Sequence, residues 1–547
     1  MKNTVLRGTV VLVLSGFVCK ILGAFFRLPL SYIIGIDGLG IYQLVCAFYS
    51  LLLVFSSGGA TNSLSKLISS YRVKKSKEEI LFLYRYCLLF VVGLSFCLST
   101  VLCLFAKQIS SMQGIENGQI VYYLFLVLVP LGGINSVLRG FIQGFEDMKP
   151  TAISQIVDQL ARFVFGLGIS FLLIKFGPLQ GVFGVFLALI LSQTFSLFVL
   201  FSSKKKLVKS VEFQENFLTK QNEKTLKPNE ENADKQNSFS LTKETQKQIK
   251  KEFLKAFLPL TIGCSFLPIA GAVESLFVVK LLSFAGIEKA LATALYGVQT
   301  GVVGGIMYFP CIFSVALANA CLPKISYLTS EKNTAGQKKI ISSSLSILWF
   351  VLIPIVVGIC AISQTLYPLI FPSFMNSYKN ISFFLTILSG INICLLSCVQ
   401  VLISVVQAKG FFTYSMICFL CGAGVKILMF FILCPQKNIN IFSVPISNIF
   451  CYFAMLVLIL AKIYNVVKLP FFNFALPLLS SMAMFFIVKI SLSLIGGFWG
   501  LLLAVFVGGV SYFAMSYPIL KEFLNMIKMR KNDKNVEKDW IKFFLLK

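Results

Sequence analysis

The 547-residue chain contains no histidine. That removes the side chain most used as general base, proton shuttle and metal ligand near neutral pH. Catalysis built on a histidine triad or a histidine metal site is therefore excluded. Acidic residues are scarce, 22 against 49 lysines and arginines. There is no Walker-type phosphate loop, so ATP hydrolysis is not supported. There is no G-x-S-x-G elbow, and no acid pair in a polar loop. These absences predict no catalytic residues, no cofactor, no metal site and no enzyme activity. The fifteen cysteines all lie in apolar stretches. The "CFLC" at residues 418–421 has C-x-x-C spacing but no second pair. The cysteines read as small polarizable packing residues.

What the chain has is apolar surface. Hydrophobic residues make up 57% and charged residues 13%, with a mean hydropathy of +0.84. Soluble domains run at about 45–50% apolar and about 25% charged. The composition predicts an all-α polytopic membrane protein. The net charge of +27 would suit nucleic acid, but in a membrane protein excess Lys and Arg marks cytoplasmic loops. No nucleic-acid partner is expected.

A span needs about 20 apolar residues. Fourteen candidates lie near 5–34, 41–69, 80–106, 119–142, 151–175, 180–201, 253–283, 291–322, 340–366, 380–406, 411–433, 441–464, 470–494 and 497–517. The start reads as a retained first span rather than a cleaved signal, because its apolar run is long and shows no clear A-x-A site. Even-numbered connections carry the cations: Arg72, Lys74, Lys75 and Lys77, then Lys149, the 202–252 loop, Lys324 to Lys339, Lys409, and Lys462 with Lys468. Odd connections hold about one each: Lys107, Lys175, Lys289, Lys379 and Lys437. The positive-inside rule then places both termini in the cytoplasm.

The 202–252 segment is the one long polar stretch between spans, rich in Lys, Asn, Gln and Glu. It reads as a cytoplasmic linker. The predicted organisation is an N-lobe of six spans over 1–201, that linker, a C-lobe of six spans over 253–464, two further spans over 465–517, and a basic cytoplasmic tail over 518–547. An internal repeat supports it. "FIQGFEDMKPTAISQIVDQLARFVFGLGI" from Phe141 sets against "ISVVQAKGFFTYSMICFLCGAGVKILMFF" from Ile403, and Arg162 falls on Lys426 without a gap. Same-topology lobes imply a pseudo-twofold axis along the membrane normal and an alternating-access architecture.

Ionisable residues inside spans are costly and mark function by default. Lys20 and Arg27 are seven apart, close to two turns, so they point the same way. Arg27 precedes Pro29 and is either a cavity residue or an interfacial anchor. Asp158 and Arg162 have the i, i+4 spacing of an intrahelical ion pair. Glu274 has no local partner in sequence and is either paired at a distance or a coupling site. Lys426 completes the set. Arg139, Lys280 and Lys489 read as cations able to reach an interface. Cations outnumber acids, so a cavity lined by them would attract an anion.

"SGFVCKILGAFFRLPLSYIIGIDGLGIYQ" and "RGFIQGFEDMKPTAISQIVDQLAR" resemble the stage V sporulation protein B group. That group lies in the polysaccharide-transport branch of the multidrug/oligosaccharidyl-lipid/polysaccharide exporter superfamily, and its members are similar to lipid II flippases. The resemblance implies a flippase moving an undecaprenyl-pyrophosphate-linked saccharide, lipid II-like, to the outer leaflet of a bacterial plasma membrane. It implies that Arg27, with Lys20, meets the pyrophosphate, and that spans thirteen and fourteen build a lipid groove. Its implied partners are a polyprenyl-linked glycan lipid, membrane lipids and cell-wall synthesis enzymes. The stretches "FYSLLLVFSSGG" and "QTGVVGGIMYFP" lack arginines that the proteobacterial flippases carry there, which shifts cavity charge to Arg162 and Lys426. Two other readings stay open: a multidrug or cation antiporter of the same fold, kept by Asp158 and Glu274, and a non-transporting scaffold for cell-wall or spore-cortex synthesis.

Overall fold

The computed structural model describes residues 2–74, 77–225, 242–370, 379–465, 471–518 and 521. Among them all regular structure is helical. Fourteen helical stretches are long and apolar enough to cross a membrane. The chain is thus an all-α, multi-pass membrane protein. Most of the tail predicted for 518–547 lies outside the described residues.

The number of spans agrees with the sequence count, but the partition differs at two places. The first stretch, Leu14–Arg72, runs for 59 residues. At 1.5 Å per residue that is about 88 Å, nearly three times a hydrocarbon core of about 30 Å. It is two crossings run together. The helix Lys2–Ser57 is kinked at Gly35, whose φ is +69°. Only glycine adopts that backbone without strain, so the chain turns there without a loop. The expected eighth span, 291–322, is instead cut in two, Lys289–Met307 and Cys311–Ser330. Tyr308 and Pro310 fall in the cut, and proline at a helix start supplies no N–H to the preceding turn.

The helices pack as two compact units: Met1–Phe309 with Thr413–Met455, and Pro310–Phe412 with Leu456–Lys547. In the first unit a layer of fully buried side chains includes Leu64, Ile68, Leu83, Val91, Val137, Leu138 and Leu200. Ile249, Phe253 and Phe257 join this layer. They come from the helix Lys243–Phe284, which begins inside the segment read as a linker. Thr242 caps it, its Oγ1 accepting from the Thr245 N–H at 3.3 Å. On the other side the helix Pro178–Thr225 runs on past the predicted end of its span. Lys, Glu and Gln are good helix formers, so a polar composition did not stop either helix. Residues 226–241 lie outside the described residues.

Glycines let helix backbones approach closely. A Cβ on Gly40 would sit 2.2 Å from the Thr293 carbonyl oxygen, and one on Gly297 would sit 2.6 Å from the Gly40 nitrogen. The Gly59 N–H donates to Thr261 Oγ1 at 3.1 Å. Small residues permit such approach between membrane helices.

The second unit has its own core, with Ala361, Met484, Val488, Ala504 and Tyr512 buried together. The Tyr512 hydroxyl donates to the Phe350 carbonyl at 2.7 Å. Lys489 donates to Gln364 Oε1 at 2.8 Å and lies 5.2 Å from the Phe383 ring centroid. An amide oxygen and a π face replace water around this cation.

Candidate functional site

The candidate site residues Lys20, Arg27, Asp158, Arg162, Glu274 and Lys426 all fall in the first unit, at three places. The first is Arg27, on the half of the Lys2–Ser57 helix before the Gly35 kink. It is half-buried, whereas Lys20, two turns earlier, is exposed. The guanidinium passes over Gly305. A Cβ added to that glycine would lie 3.3 Å from Arg27 Cδ and 3.6 Å from its Nη1. Glycine at 305 therefore makes room for the arginine stem.

The second place is the helix Lys149–Leu173, whose first turn carries Pro150, a favoured start residue. One turn separates Asp158 from Arg162, and Arg162 Nη2 lies 3.4 Å from Asp158 Oδ2. The contact is long and single. Arg162 Nε and Asp158 Oδ1 are both buried without a hydrogen-bond partner. Buried polar atoms are nearly always paired, so this pair keeps bonding capacity in reserve. Arg139, from the helix Phe125–Gly144, donates to Ser154 Oγ at 3.3 Å and to Ser196 Oγ at 3.1 Å. Ser196 in turn donates to Asn135 Oδ1 at 2.9 Å, and Asn135 Nδ2 donates to Gln193 Oε1 at 2.6 Å. Ser154, the Arg139 acceptor, lies one turn before Asp158 on the same helix. Phe26, next to Arg27, meets Phe163, next to Arg162, with ring centroids 6.3 Å apart. Three arginines thus gather at the helix that carries Asp158.

The third place pairs Glu274, in the helix Lys243–Phe284, with Lys426, in the helix Phe412–Leu433. Lys426 Nζ lies 3.0 Å from Glu274 Oε2. The Tyr296 hydroxyl donates to Glu274 Oε1 at 3.3 Å. Glu274 is 4% exposed. The partner that Glu274 lacks in its local sequence is supplied across helices. The two helices also meet through Phe277 and Phe431, whose ring centroids are 5.2 Å apart. Beside the pair lies a cavity of about 190 Å³, lined also by Gln299, Thr300, Tyr308, Asn448 and Tyr452. Gln299 and Thr300 belong to a π-helical turn, Val298–Val303. Such turns occur mostly as single insertions in α-helices and often at functional sites.

Sequence reasoning does not bring Arg139, Tyr296, Gln299 or Asn448 together as site residues. Arg139 is visible as an intramembrane cation. Its hydroxyl partners Ser154 and Ser196 lie on two other helices, and no spacing rule links them. The amides are polar residues in apolar runs, a weak signal without contacts.

Comparison with known proteins follows the same lines. Residues 5–227 match the profile of the polysaccharide biosynthesis protein family. Stage V sporulation protein B of Bacillus subtilis (strain 168) is 26% identical over 336 residues, 60% of this chain and 60% of that protein. Lipid II flippase MurJ of Bacillus subtilis (strain 168) is 31% identical over 190 residues, 32% of this chain and 34% of that protein. The matches span less than two thirds of either relative's length. Among solved structures, a lipid II flippase MurJ in an inward closed conformation superposes with a TM-score of 0.67 at 14% identity, covering 94% of this chain and 99% of that one. An inward-facing multidrug resistance MATE family transporter superposes with a TM-score of 0.58 at 13% identity, covering 82% and 95%. At these identities the likeness is one of fold. The sequence and fold findings support the group that the first-span and post-span-four motifs resemble.

Proposed function

We propose that the protein is a flippase for a polyprenyl-pyrophosphate-linked saccharide of the lipid II class. It would carry the headgroup from the cytoplasmic to the outer leaflet by alternating access between two six-span lobes, with the last two spans flanking the lipid tail. One observation carries this reading. Arg27, Arg139 and Arg162 gather at the helix Lys149–Leu173, where Arg162 contacts Asp158 at 3.4 Å. A surplus of guanidinium groups within spans suits a pyrophosphate, because each offers parallel donors matched to phosphate oxygens. Arg27 is proposed as the residue that meets the pyrophosphate first, with Lys20 at the exposed approach. Arg162 is proposed to exchange its loose contact with Asp158 for the substrate.

The antiporter reading requires a free carboxylate for a cationic cargo or coupling ion. Asp158 and Glu274 each lie within 4 Å of a cationic side chain, Arg162 and Lys426. This favours the anionic cargo.

The test is complementation in a bacterium depleted of its own lipid II flippase, with wild type and Arg27→Glu at matched membrane levels. Wild type is expected to restore growth. The variant, which reverses a charge meant for a phosphate, is expected to lose transport by about 100-fold or more. Growth restored equally by a well-inserted Arg27→Glu protein would remove Arg27 from the pathway. Failure of wild type to rescue, despite good insertion, would sink lipid II as the cargo.

A further inference from the structure

The cavity beside Glu274 and Lys426 differs in kind from the arginine cluster. Its two charges cancel. Its other polar walls are the amides of Gln299 and Asn448, the Thr300 hydroxyl and the phenols of Tyr308 and Tyr452, beside the apolar Leu267 and Val444. An amide both donates and accepts, and so does a phenol. A phosphate only accepts, so a phosphate site would be walled by donors; this one sets a carboxylate and two amide oxygens among them. A metal cation would need Glu274, which Lys426 already holds at 3.0 Å. An apolar ligand would displace water from these polar groups without replacing its hydrogen bonds. What matches a wall of mixed donors and acceptors, with aromatic faces and no net charge, is a neutral polyhydroxylated ring. Sugar hydroxyls also donate and accept. The volume, about 190 Å³, holds about six waters at about 30 Å³ each. That is room for one sugar ring, not for a whole glycan.

The position relative to Arg27 fits the same ligand. Thr300 lines the cavity, and Gly305, over which Arg27 passes, follows five residues later. Tyr308, on the far side of Gly305, lines the cavity again. The Arg27 contact at Gly305 thus falls between two cavity-lining residues of the same stretch of chain.

We propose that this cavity is a saccharide subsite, which takes the sugar ring bonded to the pyrophosphate while Arg27 and its neighbours take the phosphates. It deepens, and rests on, the flippase reading. Substrate recognition is then bipartite: arginines supply charge, and the neutral pocket supplies discrimination between glycosylated and bare carriers. A site that hydrogen-bonds hydroxyls disfavours a ligand lacking them, because those bonds are then not formed.

The experiment measures binding to the purified full chain in detergent, using farnesyl diphosphate and a farnesyl diphosphate carrying one N-acetylated hexose. Wild type is expected to bind the glycosylated probe about 10-fold or more tighter, the worth of one to two hydrogen bonds. Asn448→Ala is expected to erase most of that difference and leave farnesyl diphosphate unchanged. Tyr308→Leu, at a side chain 40% exposed and so tolerant of change, is expected to reduce it about 3-fold. Arg27→Ala is expected to weaken both probes together. Equal binding of the two probes by wild type would overturn the saccharide subsite and leave the flippase reading standing. So would an Asn448→Ala protein that loses farnesyl diphosphate as strongly as the sugar form, since the cavity would then be an anion site. If wild type binds neither probe, the flippase reading itself fails, and the subsite with it.

Discussion

The internal repeat sets Arg162 against Lys426, and each cation has an acid, yet the two pairs are wired differently. Asp158 and Arg162 sit one turn apart on a single helix, 3.4 Å from each other, with unused bonding atoms on both sides. Glu274 and Lys426 come from separate helices, meet at 3.0 Å, and border a cavity. An intrahelical pair holds nothing together except its own side chains. An interhelical pair fixes two helices and depends on both. Equal charge inventory therefore gives one place able to release its counter-ion and one place that keeps it.

The largest effect that would break this comparison concerns stability. Glu274→Ala leaves a half-buried lysine without its acid, a change that costs up to about 3–5 kcal/mol, the cost at a fully buried pair. We expect a sharp fall in the melting temperature of the detergent-solubilised protein. Replacing both partners, Glu274→Leu with Lys426→Met, should recover most of it. A single variant as stable as wild type would show that the pair carries no structural weight.

Next comes Gly305→Val. The added side chain must displace the Arg27 stem, since even a Cβ stands 3.3 Å from Arg27 Cδ. Transport should fall about 10-fold, the effect of misplacing one charge-assisted contact, with protein level unchanged. Undiminished transport would separate Gly305 from the working position of Arg27. The smallest effect is Asp158→Asn. The amide keeps the shape and an acceptor oxygen for Arg162, so stability should move less than in Glu274→Ala. The same substitution should tighten farnesyl diphosphate binding, because Arg162 loses its resident competitor. Weaker binding would show that Asp158 positions Arg162 rather than competing for it.

Much of the architecture is legible in the sequence because membrane spans announce themselves through length and hydropathy. The Gly35 turn falls where the hydropathy pattern ends the first span. The fusion of the first two stretches and the cut at 308–310 are not legible, since both depend on backbone geometry at a few residues. The helices entering 202–252 escape sequence reasoning for another reason. Ile249 is an isolated apolar residue in polar surroundings, and only the packed layer shows that it is core. Among site residues, i, i+4 spacing exposes the Asp158–Arg162 pair. The Glu274–Lys426 pair joins residues 152 positions apart, and no local pattern encodes it.

The π turn at Val298–Val303 carries one consequence of a different sort. It acts as a phase keeper. A turn with i→i+5 bonding holds one residue more than an α-helical turn. It completes about the same rotation with one residue more, so the extra residue is absorbed locally and Gly305 and Tyr308 keep their phase with the helix before it. Deleting one residue would let the stretch close into plain α-helix with that phase kept, but would remove the widened turn that carries Gln299 and Thr300. A one-residue deletion within 298–303 should therefore disturb the cavity wall and leave the place of Gly305 against Arg27 as it is.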